Sequence, residues 1–187
     1  YARVSDQLNG RVMRLLVTPL LRALRSILGA HPFLVYIDTF RYPLAGEFSL
    51  DVDLVRRLRV PYDWALEIGT LAEVFRNAAP RAICQSELCE LYDHKHQELS
   101  AEDTERGLNR MARDVGTHLL RTLAAAGVVL SEGLFKSLIA AYQREAEDAI
   151  ADSYAVATIN GLNYDRHQEE IDVQVFSRSL RQSIEEF

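Results

Sequence analysis

The chain has 187 residues, 48% of them hydrophobic, and a formal net charge of −6. This length and composition predict one ordinary packed domain, or one large piece of a bigger domain, and argue against a disordered chain. The negative charge argues against a nucleic-acid partner, because phosphate contacts need a basic surface, and no apolar run reaches the roughly 18 residues of a membrane span.

The first half of the chain predicts a mixture of helix and strand. Residues 5–28 have the period of an amphipathic helix that Gly29 ends. The apolar stretch "FLVYIDTF" at 33–40 and the stretch "RAICQSEL" at 81–88 each predict a strand. We therefore expect an α/β fold, with the turn-rich segment 41–48 after the first strand.

Two helices are predicted between these strands. The first covers residues 49–58, with Ser49 as a candidate cap, and the second covers 64–77 after a cap at Asp63. The two cysteines, Cys84 and Cys89, are too few for a disulfide framework. We expect both to be small buried residues of a reduced, cytoplasmic protein without a signal peptide.

The second half of the chain predicts helices alone. A helical period runs from 106 to a glycine stop at 127. Ser131 starts the next helix, which reaches about residue 157, and Asp165 caps a last helix to about residue 184. The chain is therefore expected to divide into 1–104, mixed in structure, and a helical region, 105–187.

The segment "LYDHKHQEL" places His94 and His96 two residues apart between acids. In an extended segment, Asp93, His94, His96 and Glu98 point to one side and form a polar ridge. The segment follows the predicted strand at 81–88, where ligands bind in open α/β sheets. A metal site, a phosphate site and a solvated loop all remain open, and a single histidine with carboxylates suits Mg²⁺ or Mn²⁺ better than structural zinc.

Charge is distributed unevenly along the sequence. Residues 86–105 hold seven acids and one lysine. Residues 1–30 hold a single acid, Asp6, against five arginines: Arg3, Arg11, Arg14, Arg22 and Arg25. A basic end suits an anionic substrate and an acidic segment suits a cation.

Glu67 falls inside the apolar arc of its predicted helix, between Val74 and Ala78, whereas Glu73 and Arg76 fall on the opposite, solvated face. A carboxylate on a buried face is unfavourable unless it is paired or used in chemistry. Spacing alone leaves two interpretations open. One is a structural salt bridge, and the other is a cleft carboxylate that binds sugar hydroxyls or assists proton transfer.

Four ordered motifs resemble the glucosyl-3-phosphoglycerate synthases, which are glycosyltransferases of the GT-A nucleotide-sugar-binding fold. They are "NGRVMRLLVTPLL" (9–21), "YPLAGEFSL" (42–50), "PYDWALEIGTLAEVFRN" (61–77) and "YDHKHQELS" (92–100). The resemblance continues through "GLNRMARDVG", "VLSEGLFKSL" and "INGLNYDRHQEE", so it covers nearly the whole chain.

The resemblance implies an activity and its partners. Such enzymes transfer glucose from a nucleoside diphosphate sugar, usually UDP-glucose, to the 2-hydroxyl of 3-phosphoglycerate, with retention and with a divalent cation, Mg²⁺ or Mn²⁺. The product leads to the compatible solute glucosylglycerate. The family also suggests a homodimer through the helical tail. Mannosyl-3-phosphoglycerate synthases, which use GDP-mannose, look similar over the same motifs and are the runner-up.

The resemblance also implies roles for individual residues near the acceptor and the metal. His94 matches the histidine that binds the metal together with a D-x-D motif. Gly10 and Arg11 match the stretch that holds the acceptor's phosphate and carboxylate, which an arginine fork suits well. His96 matches a position that supplies a donor to the same phosphate.

On the donor side, the resemblance points to a loop and a glutamate. Leu44, Ala45, Gly46 and Glu47 match the loop that lines the donor sugar. Glu67 matches a glutamate proposed to contact the transferred sugar, which makes it the catalytic candidate.

The D-x-D motif of such enzymes belongs to a nucleotide-binding half that this sequence does not contain. The letters "DVD" at 51–53 lie on a predicted helix, and we interpret them as surface charge. The chain therefore resembles the C-terminal, acceptor-side portion of a GT-A enzyme. A noncatalytic helical interaction module remains an alternative, and a metal hydrolase lacks a second ligand cluster. Convergence of Arg11, Glu67, His94 and His96 in one cleft would favour the transferase.

Overall fold

The computed structural model of the chain describes residues 3–4, 7–88 and 106–187. These residues are mostly helical. The α-helices that they form are α1 (Thr18–Leu28), α2 (Pro32–Asp38), α3 (Val52–Val55), α4 (Leu66–Asn77), α5 (Gly107–Ala125), α6 (Glu132–Ile159) and α7 (Arg166–Glu185). A π-helix, Met13–Val17, precedes α1, and a 3₁₀ helix, Pro80–Ala82, follows α4.

The expected α/β class is not confirmed in the described part of the chain, which is mostly helical. Its only strands are β1 (Arg3–Val4) and β2 (Gln7–Leu8), which pair antiparallel, and β2 lies where helix was expected. The predicted strand at 33–40 is α2, and the predicted strand at 81–88 is the end of the 3₁₀ helix followed by irregular chain.

A proline and an apolar face explain why residues 33–40 form a helix. Pro32 occupies the first position of α2, where its missing N–H is not needed and its fixed φ suits the helix. Phe33, Leu34 and Ile37 are buried together. Leu34 and Ile37 follow Phe33 by one and four residues, a spacing that places all three on one side of a helix. A short apolar run of this kind does not distinguish a buried strand from a buried helix by periodicity.

The first helical segment is irregular because of Pro19. A proline has no N–H to donate to the carbonyl four residues earlier, which here belongs to Leu15. The hydroxyl of Tyr142, a fully buried residue of α6, donates to that carbonyl at 2.8 Å. Burial raises the pKa of Tyr142, so its hydroxyl keeps the proton that this bond uses. The π-helix therefore ends against a tertiary contact that replaces the lost backbone bond.

The helix ends predicted in the second half are confirmed. The Ser131 hydroxyl accepts from the Leu134 N–H at 3.2 Å, and the Asp165 carboxylate accepts from the Gln168 N–H at 3.0 Å. α5 ends just before Gly127, which has φ 91°. Gly29 ends α1 with φ 72°, as its position in the sequence predicts.

One hydrophobic core joins the described helices of both halves. α1 packs against α6, and α5 and α6 both pack against α7. The largest fully buried side chains in this core are Tyr142, Phe33, Phe176, Leu15, Leu16, Leu20, Leu21, Leu24, Leu34, Ile37, Ile68 and Leu119. The domain boundary expected between 104 and 105 lies outside the described residues and stays a prediction.

A close approach fixes α4, the helix that carries Glu67. A Cβ added to Gly69 would lie 2.2 Å from Pro61 Cδ and 3.2 Å from His118 Nε2 of α5. Only a glycine fits between these two neighbours without displacing them. α4 is thereby held between the chain that precedes it and the C-terminal helices.

The short helix before α4 corrects one predicted cap. Asp51, rather than Ser49, caps α3, because its carboxylate accepts from the N–H groups of Asp53 and Leu54 at 2.9 and 3.1 Å. Asp51, Val52 and Asp53 are all exposed. The "DVD" residues therefore lie at the surface, as interpreted, and Asp51 also borders the pocket described below. Before α4, the Asp63 carboxylate accepts a hydrogen bond from the Ala65 N–H at 2.9 Å. Asp63 was the predicted cap and lies just before the helix, which begins at Leu66.

Candidate functional site

The described residues enclose an open pocket of about 1090 Å³. α4 forms one wall, and α2 with the loop after it forms another, while α3 and residues 82–88 complete the enclosure. The side chains from α4 are Glu67, Thr70, Leu71, Val74 and Asn77. This size is ample for a sugar or a nucleotide-sized ligand.

The loop at 44–47 and Glu67 meet at this pocket. Ala45, Glu47 and Glu67 line it, and a Cβ added to Gly46 would lie 3.9 Å from Glu67 Oε1. Leu44 does not line the pocket, because its side chain is buried in the core and anchors the loop. The structure thus brings together the backbone at Gly46 and the carboxylate of Glu67, which are 21 residues apart in the sequence. Their roles in binding a sugar remain predictions.

Glu67 is half-buried, and its carboxylate makes no ion pair or hydrogen bond with any described residue. The structural salt bridge weighed for Glu67 therefore has no partner among the described residues. An unpaired carboxylate at a pocket wall remains accessible to a ligand.

Glu73 has the structural role instead, so its expected place on the solvated face is wrong. Glu73 is only 9% exposed. One carboxylate oxygen accepts from the Arg59 backbone N–H at 3.1 Å, and the other accepts from Arg76 Nη1 at 3.2 Å. Glu73 thereby ties the chain before α4 to the helix itself. A helical wheel does not predict that Glu73 is buried, because the segment that covers it, near Arg59, is not part of the helix.

Residues 83–88 close one side of the pocket through a glutamine. Gln85 accepts from the Arg41 backbone N–H at 3.0 Å and donates to the Thr39 carbonyl at 2.7 Å. Arg41 and Glu87 also form an ion pair. Cys84 is exposed here, so its expected burial is wrong, and Cys89 lies outside the described residues.

A tyrosine hydroxyl is part of the α2 wall. Tyr36 lines the pocket and packs edge-on against Phe40 with ring centroids 5.1 Å apart. Burial raises the pKa of Tyr36 to about 12, so it stays protonated at neutral pH. Its hydroxyl has no hydrogen-bond partner among the described residues. The hydroxyl is thus a buried donor without a described partner, beside the pocket wall that the Tyr36 residue helps to form.

The basic N-terminal segment is largely paired within the fold. Arg25 forms an ion pair with Asp38. Arg14 is buried and forms a bidentate pair with Glu169 of α7, with nitrogen–oxygen distances of 2.7 and 2.5 Å. The Arg14 side chain also donates to the Ser153 hydroxyl of α6 at 2.9 Å. These two arginines are therefore structural and do not form a free basic surface.

The hydroxyl of Tyr164 completes the buried network around Glu169. It donates to the carboxylate at 2.8 Å and lies 3.1 Å from the Ile150 carbonyl. Burial, followed by the bond to Glu169, raises the pKa of Tyr164. The network thus joins the first helical segment, α6 and α7 through buried polar contacts.

Arg11 follows the turn at Gly10, whose φ is 75°, and the helix begins here with a bond of 2.8 Å from the Arg14 N–H to the Gly10 carbonyl. The Arg11 side chain is 42% exposed, and its Nε lies 3.1 Å from Oδ2 of the buried Asp172. The distance is that of an ion pair, although the N–H does not point along a hydrogen bond. Arg11 does not line the pocket at Glu67.

Asp172 was not found from the sequence, although it is 1% exposed. Burial raises its pKa, whereas the bond from Gln168 and the charges of Arg11 and Arg14 act in the opposite direction. The sequence feature that could have identified Asp172 is its position on the buried face of α7, three residues after Glu169. The same reasoning that singled out Glu67 could have found both acids.

The described fold does not bring Arg11 and Glu67 to one pocket, so the expected convergence is not observed for these two residues. His94 and His96, the other two members of the set, lie outside the described residues. Within residues 3–4, 7–88 and 106–187, no group of three histidine, cysteine or acidic side chains could hold a metal ion. No helix in those ranges is both long and apolar enough to cross a membrane.

Comparison with known proteins supports the resemblance over the whole chain. The sequence is 46% identical over 187 residues to a glucosyl-3-phosphoglycerate synthase of Persephonella marina, and 43% identical over 191 aligned residues to one of Methanococcoides burtonii. Both alignments include 100% of this chain and 46% of the relative, so the chain spans less than half the length of these curated relatives. No protein-family model and no solved structure matches the chain.

Proposed function

The sequence resemblance to the glucosyl-3-phosphoglycerate synthases is confirmed, and we propose that this chain is the C-terminal, acceptor-side portion of such an enzyme. The full-length protein would transfer glucose from a nucleoside diphosphate sugar, UDP-glucose, to the 2-hydroxyl of 3-phosphoglycerate with retention. The observation that carries this proposal is the identity of 43–46% over the whole chain. It favours the transferase over the noncatalytic helical module.

The pocket supports the donor side of the proposal. We propose that the loop Leu44, Ala45, Gly46 and Glu47 lines the transferred glucose and that Glu67 supports it. Positive charge develops at the sugar carbon as the diphosphate leaves, and a carboxylate beside it stabilises that charge. Glu67 need not act as a nucleophile if the acceptor hydroxyl attacks the sugar carbon from the face that the diphosphate leaves. In that geometry the leaving diphosphate can itself accept the proton of the hydroxyl.

The remaining parts of the proposal are the fold, the cation and the assembly. The nucleotide-binding half, with a GT-A fold and a D-x-D motif, would belong to the portion of the relatives that this chain does not span. A Mg²⁺ or Mn²⁺ ion would use His94 as a ligand and neutralise charge on the diphosphate. The described residues do not by themselves offer a metal site. We further propose a cytoplasmic homodimer, with mannosyl transfer from GDP-mannose as the second candidate activity.

We expect Glu67→Gln to lower kcat in the full-length protein while the melting temperature stays nearly constant. Glutamine preserves the shape of the side chain but removes the charge that matters most in the transition state. Glu67 has no described partner whose loss would destabilise the fold. Steady-state kinetics and thermal unfolding of the same preparation measure both effects.

The matched control is Glu73→Gln on the same helix. Both oxygens of Glu73 accept hydrogen bonds, so an amide must turn its NH₂ group towards one of two donors. This loss is worth about 1–3 kcal/mol of stability, and kcat should be retained. A large fall in melting temperature for Glu67→Gln with kcat preserved would contradict the catalytic role of Glu67.

We expect Arg11→Ala to raise the KM for 3-phosphoglycerate about tenfold or more, because a charge-assisted contact to an anion contributes about 1.5–3 kcal/mol. The KM for the sugar donor should hardly change. Arg22→Ala, at an exposed arginine further along the same helical segment, is the control and should leave both values unchanged. Equal increases for both substrates would indicate a general folding defect and contradict the assignment.

A further inference from the structure

Two arginine–carboxylate pairs connect the first helical segment with α7. Arg11 pairs with Asp172, and Arg14 pairs with Glu169. The two arginines are three residues apart, and so are their two acidic partners, which follow in the reverse order along α7. Residues three apart lie on the same face of a helix. The two pairs therefore form neighbouring rungs between the same two elements.

The two rungs differ in the number of guanidinium nitrogens that are hydrogen-bonded and in the exposure of the arginine side chain. In the inner rung, Arg14 points two nitrogens at Glu169 and its side chain is only 4% exposed. In the outer rung, Arg11 Nε lies 3.1 Å from Asp172 Oδ2, and the Arg11 side chain is 42% exposed. Neither terminal nitrogen of Arg11 donates a hydrogen bond to any described residue. All three guanidinium nitrogens of Arg14 therefore donate hydrogen bonds within the fold, whereas the two terminal nitrogens of Arg11 donate none to the described residues.

Asp172 is held more firmly than the arginine that it contacts. Its side chain is 1% exposed, and its Oδ1 accepts from Gln168 Nε2 at 3.0 Å. A buried carboxylate is unfavourable unless a cation or donors compensate it. Burial also raises its pKa, while Arg11 acts against that shift. The buried partner of this pair is thus the acid, and the more exposed partner is the arginine.

We infer that Asp172 is a positioning residue for Arg11: it holds the guanidinium at Nε and directs its two terminal nitrogens towards the anionic acceptor. The terminal edge of a guanidinium offers parallel N–H groups that match a carboxylate or a phosphate. Fixing the fork beforehand reduces the conformational entropy lost on binding. Asp172 itself touches no substrate in this scheme.

This inference rests on the proposed function, because it needs Arg11 to bind the acceptor. A double-mutant cycle in the full-length protein separates the two claims. Asp172→Ala should raise the KM for 3-phosphoglycerate about threefold to tenfold, with kcat and the donor KM nearly unchanged. In the Arg11→Ala background, the same substitution should raise that KM no further, since its only route of action is lost.

The outcomes distinguish the claims. If Arg11→Ala leaves the acceptor KM unchanged, the proposed role of Arg11 is wrong. If Arg11→Ala raises the acceptor KM but Asp172→Ala does not, or if their effects multiply in the double variant, the positioning role is wrong. A residue with a merely structural role would change kcat and both KM values alike, whether or not Arg11 is present.

Two further variants keep the test decisive. Asp172→Asn preserves the volume and one acceptor oxygen, so it replaces the alanine variant if that protein does not fold. We expect it to raise the acceptor KM less than alanine does, again only when Arg11 is present. Glu170→Ala removes an acid of the same helix that pairs with Arg166 at the surface, and it should leave the acceptor KM unchanged.

Discussion

Glu169→Ala is expected to lower the stability of the protein by about 3–5 kcal/mol, because it leaves the buried charge of Arg14 without its partner. The Arg14 side chain is 4% exposed and its guanidinium is oriented by Glu169, Ser153 and the Asn9 carbonyl. Removing the carboxylate also removes the acceptor of the Tyr164 hydroxyl. Thermal unfolding should show a large fall in melting temperature.

Two comparisons identify the cause of that loss. Glu170→Ala breaks a pair in which both side chains are largely exposed, and exposed pairs contribute about 0–1 kcal/mol. The double variant Arg14→Met with Glu169→Leu removes both charges, and it should be more stable than Glu169→Ala. If Glu169→Ala is no less stable than Glu170→Ala, the buried pair does not have the structural role described.

His94→Ala is expected to reduce turnover by about 100-fold or more and to weaken the dependence on Mg²⁺ or Mn²⁺. A bound cation would neutralise charge on the leaving diphosphate, and the loss of one such interaction has effects of that size. The motivation is the match of His94 to the metal-binding histidine of similar enzymes. Turnover measured across a metal titration tests both parts of the expectation.

The control for His94 is another histidine outside the proposed site. His167 is exposed on α7, so His167→Ala should leave turnover and the metal titration unchanged. Near-normal activity of His94→Ala with the metal titration of the unsubstituted protein would remove His94 from the set of metal ligands.

Helix ends with a local chemical cause were predictable from the sequence. Ser131 and Asp165 cap α6 and α7 as expected, because a side-chain acceptor three residues before a free N–H is a local arrangement. Gly29 likewise ends α1 through its own backbone conformation. Such signals need no knowledge of the tertiary fold.

The strands were mispredicted because residue type was weighed above position. Residues 33–40 are rich in aromatic and β-branched residues, yet Pro32 stands at the first turn of α2. Burial of Phe33, Leu34 and Ile37 depends on tertiary packing against α1 and α4, which overrides local propensity. The proline was the one local signal that favoured the helix.

Buried charges of the site were only partly predictable. The helical wheel placed Glu67 on the buried face and Glu73 in solvent, yet Glu67 is half-buried and Glu73 is buried. The chain near Arg59 that covers Glu73 comes from outside the helix. Arg14 interrupts the apolar run "VMRLLV", and its partner Glu169 is 155 residues away. A charge inside an apolar run signals a buried pair, whereas the identity of a distant partner requires the fold.

The measurement that tests the central claim most directly is product formation by the full-length protein. The protein is incubated with Mg²⁺, 3-phosphoglycerate and either UDP-glucose or GDP-mannose, and products are identified by mass spectrometry and by NMR of the anomeric proton. The account predicts glucosyl-3-phosphoglycerate with retained configuration from UDP-glucose, and much less product from GDP-mannose. A protein that forms no glycosylated phosphoglycerate from either donor, or that only hydrolyses the donor to free sugar, would contradict it.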